Sequence, residues 1–534
     1  MSGQRVISFL QRDRYRHVYL AGLMLFAIGL PLSKTVMSLA LLLLAIHFLL
    51  GQGYRHFPTL RKGRGAAFAF FMLIVVIHLV GLLYTSDFEY ALKDLRIKLP
   101  LLIIPLFMIT APPLKERQER GVMKTFLIAV LAVSLVALYR QLFLQPPDAR
   151  DLTPFISHIR FSMMLCLAAV AAAHLALTAE KNNLVKTILI VLAAWFLVAL
   201  VMLESLTGML SFILILGMLL AKGIFSGKSR LITWGSVAIL VILSVTGIWL
   251  ISETSREFNP DHGLTYADLD SVTALGNPYY HDLSMPVNEN GHLVWIYVNL
   301  KEMEEAWEER SHLAFDAKLP GGGRIADVLL RFLTSKGLRK DAEGVASLDD
   351  EEISAIERGI TNYRYDQWSG MRRRIDQLKW EYWNYLEGGS SRGHSLLQRI
   401  ELWQTGLSLA RTNLATGVGT GDLKDEFAEQ LHRQQSPLAG TPLRAHNQFI
   451  TILITFGLPG LILFLAAIIL PLMIRKNKID TVYMAFLVIV LFSMLVEDTL
   501  ETQVGVSFFV FFYSLRLFQN TEAKEPMPDT ATNQ

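Results

Sequence analysis

Arg444-Ala445-His446-Asn447-Gln448-Phe449 is the point where a long hydrophilic stretch ends and an apolar run, Phe449 to Ile474, begins. That run exceeds the roughly 20 helical residues needed to cross a hydrocarbon core. It therefore reads as a membrane helix with a histidine at its mouth. Nine residues separate His446-Asn447 from Gly457, and two more lead to Gly460, giving the spacing His-Asn-x9-Gly-x-x-Gly.

The rest of the chain agrees with a membrane setting. Of its 534 residues, 52% are hydrophobic, and the mean hydropathy is +0.38, a composition of membrane proteins. The net charge of +3 decides little; what matters is where Lys and Arg fall. Cys166 is the single cysteine and lies in an apolar run, so neither a disulfide framework nor a cysteine metal site is available. The first apolar run has no small-residue cleavage site and a second follows almost at once. It is expected to be a retained helix and not a signal peptide.

Apolar runs fall near 18–33, 35–51, 66–84, 97–112, 123–143, 159–178, 186–203, 206–221, 231–251, 447–474, 480–496 and 503–518. The expected fold is thus an all-α polytopic membrane protein of about twelve transmembrane helices. Basic residues mark alternate loops: Arg5, Arg12, Arg14 and Arg16; Arg55, Arg61, Lys62 and Arg64; Lys115, Arg117, Arg120 and Lys124; Lys181 and Lys186; Lys222, Lys228 and Arg230; Arg475, Lys476 and Lys478. Those loops and both termini are expected on the cytoplasmic side. The domains then run 1–251 (helices one to nine), 252–445 (a large helical periplasmic loop domain), 446–518 (helices ten to twelve) and 519–534 (a polar, disordered cytoplasmic tail).

A loop of that length is expected to be structured. Helical signals occupy Leu300 to Leu313, the stretch opened by Ser347-Leu348-Asp349-Asp350, and Tyr363 to Leu386. In the last, Tyr365, Trp368, Met371, Ile375, Leu378 and Tyr382 recur mostly at three- and four-residue steps. Asn277-Pro278, Gly321-Gly322-Gly323 and Gly388-Gly389-Ser390-Ser391 mark breaks.

His446 is the first chemical candidate, because a histidine at the outer boundary can take a proton from a hydroxyl nucleophile. The plainer reading is an interfacial residue ahead of the helix that starts at Asn447. Arg399, in Gln398-Arg399-Ile400-Glu401-Leu402-Trp403, and Arg160, in Ser157-His158-Ile159-Arg160, have the planar fork that grips phosphate oxygens. Each could instead be an ordinary surface or snorkelling arginine. Arg444 and the run Arg372-Arg373-Arg374 are weaker candidates. Gly417-Val418-Gly419-Thr420-Gly421 looks like a phosphate loop but lacks the lysine and hydroxyl of one and follows no strand, so nucleotide binding is discounted. Glu204, Glu497, Asp498 and Glu501 lie near the outer face, where they could hold a cation or orient His446. No HExxH or Gly-x-Ser-x-Gly pattern occurs in a suitable context.

Taken together, about twelve spans, a large outer loop between the ninth and tenth, Arg399-x-x-x-Trp403, Gly417-Val418-Gly419, and His446-Asn447-x9-Gly457-x-x-Gly460 resemble the O-antigen ligase family. The likeness is strongest from Arg399 to Gly460. The resemblance implies a glycosyltransferase of the bacterial inner membrane with its site facing the periplasm. It would move a glycan from undecaprenyl diphosphate to a sugar hydroxyl of lipid A-core, with inversion and without cofactor or metal. His446 would be the base or the group that orients the acceptor, Arg399, Arg160 and Arg444 would bind the diphosphate, and Asn447, Trp403, Gly417, Gly419, Gly457 and Gly460 would support them. Membrane lipids are the remaining partners, and no nucleic acid is expected. One departure stands out: family members often carry an arginine near the start of the eighth span, where this chain has Ser205-Leu206-Thr207-Gly208. An O-antigen polymerase or a protein O-oligosaccharyltransferase would use the same donor, and a lipid-linked glycan transporter is the reading from another class.

Overall fold

The computed structural model describes residues 2–519 apart from 51–53, 55–62, 113, 145, 147–148, 179, 226–229, 255–262, 286, 320–322, 369, 387–390, 393–394, 442 and 477–478. Among the described residues the chain is all-α save for one two-stranded hairpin. It divides into two units: residues 1–144, 152–215 and 399–534, and residues 145–151 with 216–398. The expected tail, most of the Gly321 and Gly388 breaks and several loop basic residues lie outside the described residues.

The first unit contains α1 (Ser2–Leu32), α2 (Lys34–Leu50), α3 (Arg64–Phe71), α4 (Leu73–Val80), α5 (Phe88–Lys98), α6 (Pro100–Thr110), α7 (Glu116–Tyr139), α8 (His158–Thr178), α9 (Asn183–Met202) and the start of α10 (Leu206–Phe225). Among the described residues, six helical stretches are long and apolar enough to cross a membrane: Arg64–Tyr84, Glu116–Leu144, His158–Thr178, Asn183–Met202, Leu206–Phe225 and Gln448–Ile474. Five shorter apolar stretches, Arg16–Leu32, Lys34–Leu50, Thr233–Ile242, Thr481–Val496 and Gln503–Leu517, fall where further runs are expected. Burial separates inner from outer helices. The apolar window of α8 is 78% buried and that of α9 only 22%, with Leu184, Ile188, Val191 and Val198 exposed. In a membrane such side chains meet lipid and carry no solvation penalty.

The second unit holds the end of α10, α11 (Arg230–Thr254), the hairpin of β1 (Asn288–Glu289) and β2 (His292–Leu293), and helices α12 (Leu300–Glu308), α13 (Ile325–Ser335), α14 (Ala342–Ala346), α15 (Asp350–Glu357), α16 (Arg364–Gln367) and α17 (Gly370–Leu386). Asn288 faces Leu293, and Glu289 faces His292. Trp307, Ile325, Leu329, Leu333, Val345 and Ile356 form its core. Asn299 caps α12 by accepting from Glu302 N at 3.1 Å, and Asp349 caps α15 in a capping box with Glu352. The helix expected from Leu300 ends at Glu308. The one expected from Tyr363 splits, because Trp368 is extended between α16 and α17. Two helices, α13 and α14, are additions to the sequence reading.

The chain ends with α18 (Ser395–Thr412), α19 (Leu423–Arg433), α20 (Gln448–Ile474), α21 (Thr481–Val496) and α22 (Gln503–Leu517). α22 is buried nearly throughout, and its rings pack in series, Phe508 on Phe512 at 5.4 Å and Phe509 on Tyr513 at 5.2 Å. About 40 Å long at 1.5 Å per residue, α20 breaks at Gly457, whose φ of 67° and ψ of −171° leave the helix.

Candidate functional site

The start of α20 places the histidine. Asn447 is the N-cap, its side-chain oxygen accepting from Phe449 N at 3.0 Å and Ile450 N at 3.1 Å, which satisfies amides with no helical partner. His446, one residue earlier, has a φ of 47°. An L residue adopts that left-handed conformation only when its surroundings hold it there.

The holding groups come from the link between α21 and α22. Asp498 accepts the backbone N–H of His446 at 3.0 Å and the hydroxyl of Thr451 at 2.6 Å. Beside it, Glu497 accepts from His446 Nδ1 at 3.4 Å. The same Glu497 pairs with the guanidinium of Arg399, whose Nε donates to the Val496 carbonyl at 3.0 Å. One turn along α18 from Arg399, Trp403 donates its indole N–H to the His446 carbonyl at 3.4 Å. Arg399, Trp403 and His446 are therefore brought together, Glu497 joining Arg399 to the His446 ring and Trp403 holding the His446 carbonyl.

This arrangement fixes the histidine's chemistry. With Nδ1 on a carboxylate, the proton belongs on Nδ1 and the lone pair on Nε2, and the side chain is 37% exposed. Burial alone would raise Glu497, but the hydrogen bond from His446 and the Arg399 charge hold it below the ordinary carboxylate range. Burial pushes neighbouring Asp498 above that range, against the pull of the Thr451 hydrogen bond.

Arg444 belongs to an adjoining cluster. It pairs with Glu501 at 3.1 Å, donates to the Tyr90 hydroxyl and lies 5.7 Å from the Tyr90 ring centre. Glu501 also takes Lys98 at 2.9 Å and Gln448 Nε2 at 3.2 Å, and Lys98 pairs with Asp94 at 2.6 Å. A cavity with room for about one water lies against Tyr90, Asp94, Lys98, Thr451 and Glu501. Lys98 and Asp94 went unnoticed in the sequence. Their signal is an i,i+4 pair of opposite charges immediately before an apolar run.

Arg160 sits near the N-terminus of α8, its Nε donating to Thr502 Oγ1 at 2.8 Å, with Glu497 and Asp498 in electrostatic range. It faces the same link as His446. Near the start of α10, Ser205 Oγ meets Ser162 Oγ at 2.9 Å, next to Leu206. Glu204, just before α10, has a φ of 49°. Counted together, Lys98, Arg160, Arg399 and Arg444 balance Asp94, Glu497, Asp498 and Glu501, so an arriving anion must exchange partners with the carboxylates.

The glycines are structural. The break at Gly457, with Pro459 lacking an N–H, leaves two carbonyls of α20 without helical donors. Val418 N donates to Ile454 O at 2.9 Å and Gly419 N to Thr455 O at 3.0 Å, while Leu458 N turns to Leu414 O at 2.8 Å. A Cβ on Gly417 would lie 2.3 Å from the Thr455 backbone, and one on Gly460 would lie 2.1 Å from Phe456 Cβ. The Val418 and Gly419 amides thus serve the broken helix, and the Gly417 amide donates to the Asn413 carbonyl at 2.8 Å.

Fold and site define a helical membrane protein in which His446, one carboxylate-rich link and several arginines converge at the N-terminal end of α20. Residues 353–465, which include Arg399, Trp403, Arg444, His446 and Gly460, match the O-antigen ligase family. Over that stretch, 113 of the 534 residues, the chain is similar to O-antigen ligases. No curated protein matches the chain.

Proposed function

We propose that the protein transfers a glycan from undecaprenyl diphosphate to a sugar hydroxyl of lipid A-core, at the periplasmic face of a bacterial inner membrane that the chain crosses about twelve times with both termini in the cytoplasm. The acceptor oxygen attacks the anomeric carbon with inversion as the bond to the diphosphate breaks. His446 Nε2 takes the hydroxyl proton, and the polyprenyl diphosphate departs with its negative charge, neutralised by Arg399, Arg160 and Arg444. The observation that carries this reading is Glu497 held between His446 Nδ1 and Arg399: one carboxylate aims the base and occupies the cation meant for phosphate. On donor arrival the diphosphate replaces Glu497 on Arg399, leaving Glu497 to His446.

The test is reconstitution of the purified chain with undecaprenyl-diphosphate glycan and lipid A-core. Transfer is expected from the native protein, and loss of at least ~100-fold, the usual weight of a general base, from His446→Ala. Unchanged transfer by that variant would remove the base assignment. A product on a second lipid-linked glycan, or on protein, in place of lipid A-core would make the chain a polymerase or a protein oligosaccharyltransferase.

A further inference from the structure

At the end of α20 remote from His446, two arginines meet without a countercharge among the described residues. Arg64 opens α3 and Arg475 follows the last turn of α20. The two helices pack together, and the guanidiniums are close enough to repel. Arg64 makes one long hydrogen bond, to the Phe518 carbonyl at 3.4 Å. The Nε of Arg475 is buried and meets no partner. Carboxylates at this end are committed elsewhere: Arg516 takes Glu119 at 2.9 Å and Asp480 at 2.6 Å.

Adjacent guanidiniums at a membrane boundary are unfavourable alone and favourable around a shared anion, whose oxygens their planar forks match. Just below Arg475, α20 exposes Ile469, Met473 and Ile474, an apolar path on which an acyl chain can lie. The charge calls for a phosphate, and the path beneath it calls for a phosphate that carries acyl chains. We propose that Arg64 and Arg475 form a binding site for the phosphodiester head group of an anionic membrane phospholipid.

The full chain, purified in uncharged detergent, is titrated with phosphatidylglycerol, phosphatidylcholine or inorganic phosphate while thermal unfolding is followed. Phosphatidylglycerol is expected to raise Tm by roughly 2–4 °C, well beyond phosphatidylcholine, with no response to inorganic phosphate. The Arg64→Gln/Arg475→Gln variant should lose the increment, and Lys115→Gln, an exposed basic control at the same end, should keep it. Mass spectrometry of lipids that co-purify gives a second readout that a lowered Tm does not confound: phosphatidylglycerol retained by native protein and depleted at least several-fold in the double variant. An equal increment and equal retention in the double variant overturn the site, and an equal response to inorganic phosphate overturns its lipid assignment.

Discussion

Asp498 holds the backbone N–H of His446 at 3.0 Å. That bond fixes a residue whose φ of 47° is costly for anything but glycine, and the second Asp498 oxygen is pinned by Thr451 at 2.6 Å. The carboxylate therefore positions the base without needing to touch substrate. Asp498→Ala is expected to lower kcat for glycan transfer by roughly 10- to 100-fold, the kinetic equivalent of ~1–3 kcal/mol of backbone strain released, with the donor KM little changed. Initial rates across donor concentration measure this. A rise in KM at constant kcat would instead place Asp498 in donor binding.

Gly457 tests the break in α20. Its conformation, φ 67° and ψ −171°, is one that side chains almost never adopt, and a Cβ there would meet the Leu414 carbonyl oxygen at 2.6 Å. Gly457→Ala should cost about 1–3 kcal/mol from the backbone alone and loosen the Val418 and Gly419 hydrogen bonds. Thermal unfolding in detergent should show a clearly lower Tm, whereas an unchanged Tm would mean that the break tolerates a side chain.

These elements differ in how far the sequence exposes them. Length and apolarity make Gln448–Ile474 readable, and Asn447 ahead of it is a recognisable cap. Pro459 also announces the break, since it denies Thr455 its helical donor. What no spacing reveals is that Gly419 supplies the missing N–H, because that pairing joins residues far apart in the chain. Glu497, Asp498 and Glu501 can be singled out from sequence as carboxylates at the expected outer face. Their division of labour, with Glu497 on Nδ1, Asp498 on the backbone and Glu501 on Arg444 and Lys98, depends on how the turn between α21 and α22 aims three neighbouring side chains. The split of α16 from α17 at Trp368 is equally hidden, since aromatic residues continue at helical spacing across it.

Lys340, in the second unit, gives a pH dependence of known sign. It is 3% exposed, its Nζ donates to the Leu293 carbonyl at 3.3 Å, and burial pulls its ammonium down to about 7 against the pull of Asp341. The folded value lies below the lysine's ordinary 10.5, so between those limits the unfolded chain binds more protons and stability rises with pH. Below about 7 both states are protonated and the burial penalty is felt in full. Lys340→Met, of similar length and uncharged, should raise Tm at about pH 6 and flatten the rise toward pH 10 that the native chain shows. Parallel curves for the two proteins would mean that water reaches the ammonium.

Arg160 is the remaining cation whose role rests on position. Its Nε is bound to Thr502, the N-cap of α22, at 2.8 Å, and Glu497 and Asp498 lie in electrostatic range. It thus faces the same link that holds His446, while Leu206, at the start of α10, offers no charge. If Arg160 supplies the phosphate contact that Leu206 lacks, Arg160→Ala should abolish transfer while leaving the protein in the membrane. Arg160→Lys, which keeps the charge and loses the fork, should retain only part of the rate. Membrane fractionation with a transfer assay on both variants separates the possibilities. A folded, membrane-inserted Arg160→Ala protein of full activity would restrict the diphosphate contacts to Arg399 and Arg444. In that case Arg160 would serve only to fasten α8 to the start of α22 through Thr502, and the loss on substitution would appear in Tm and not in turnover.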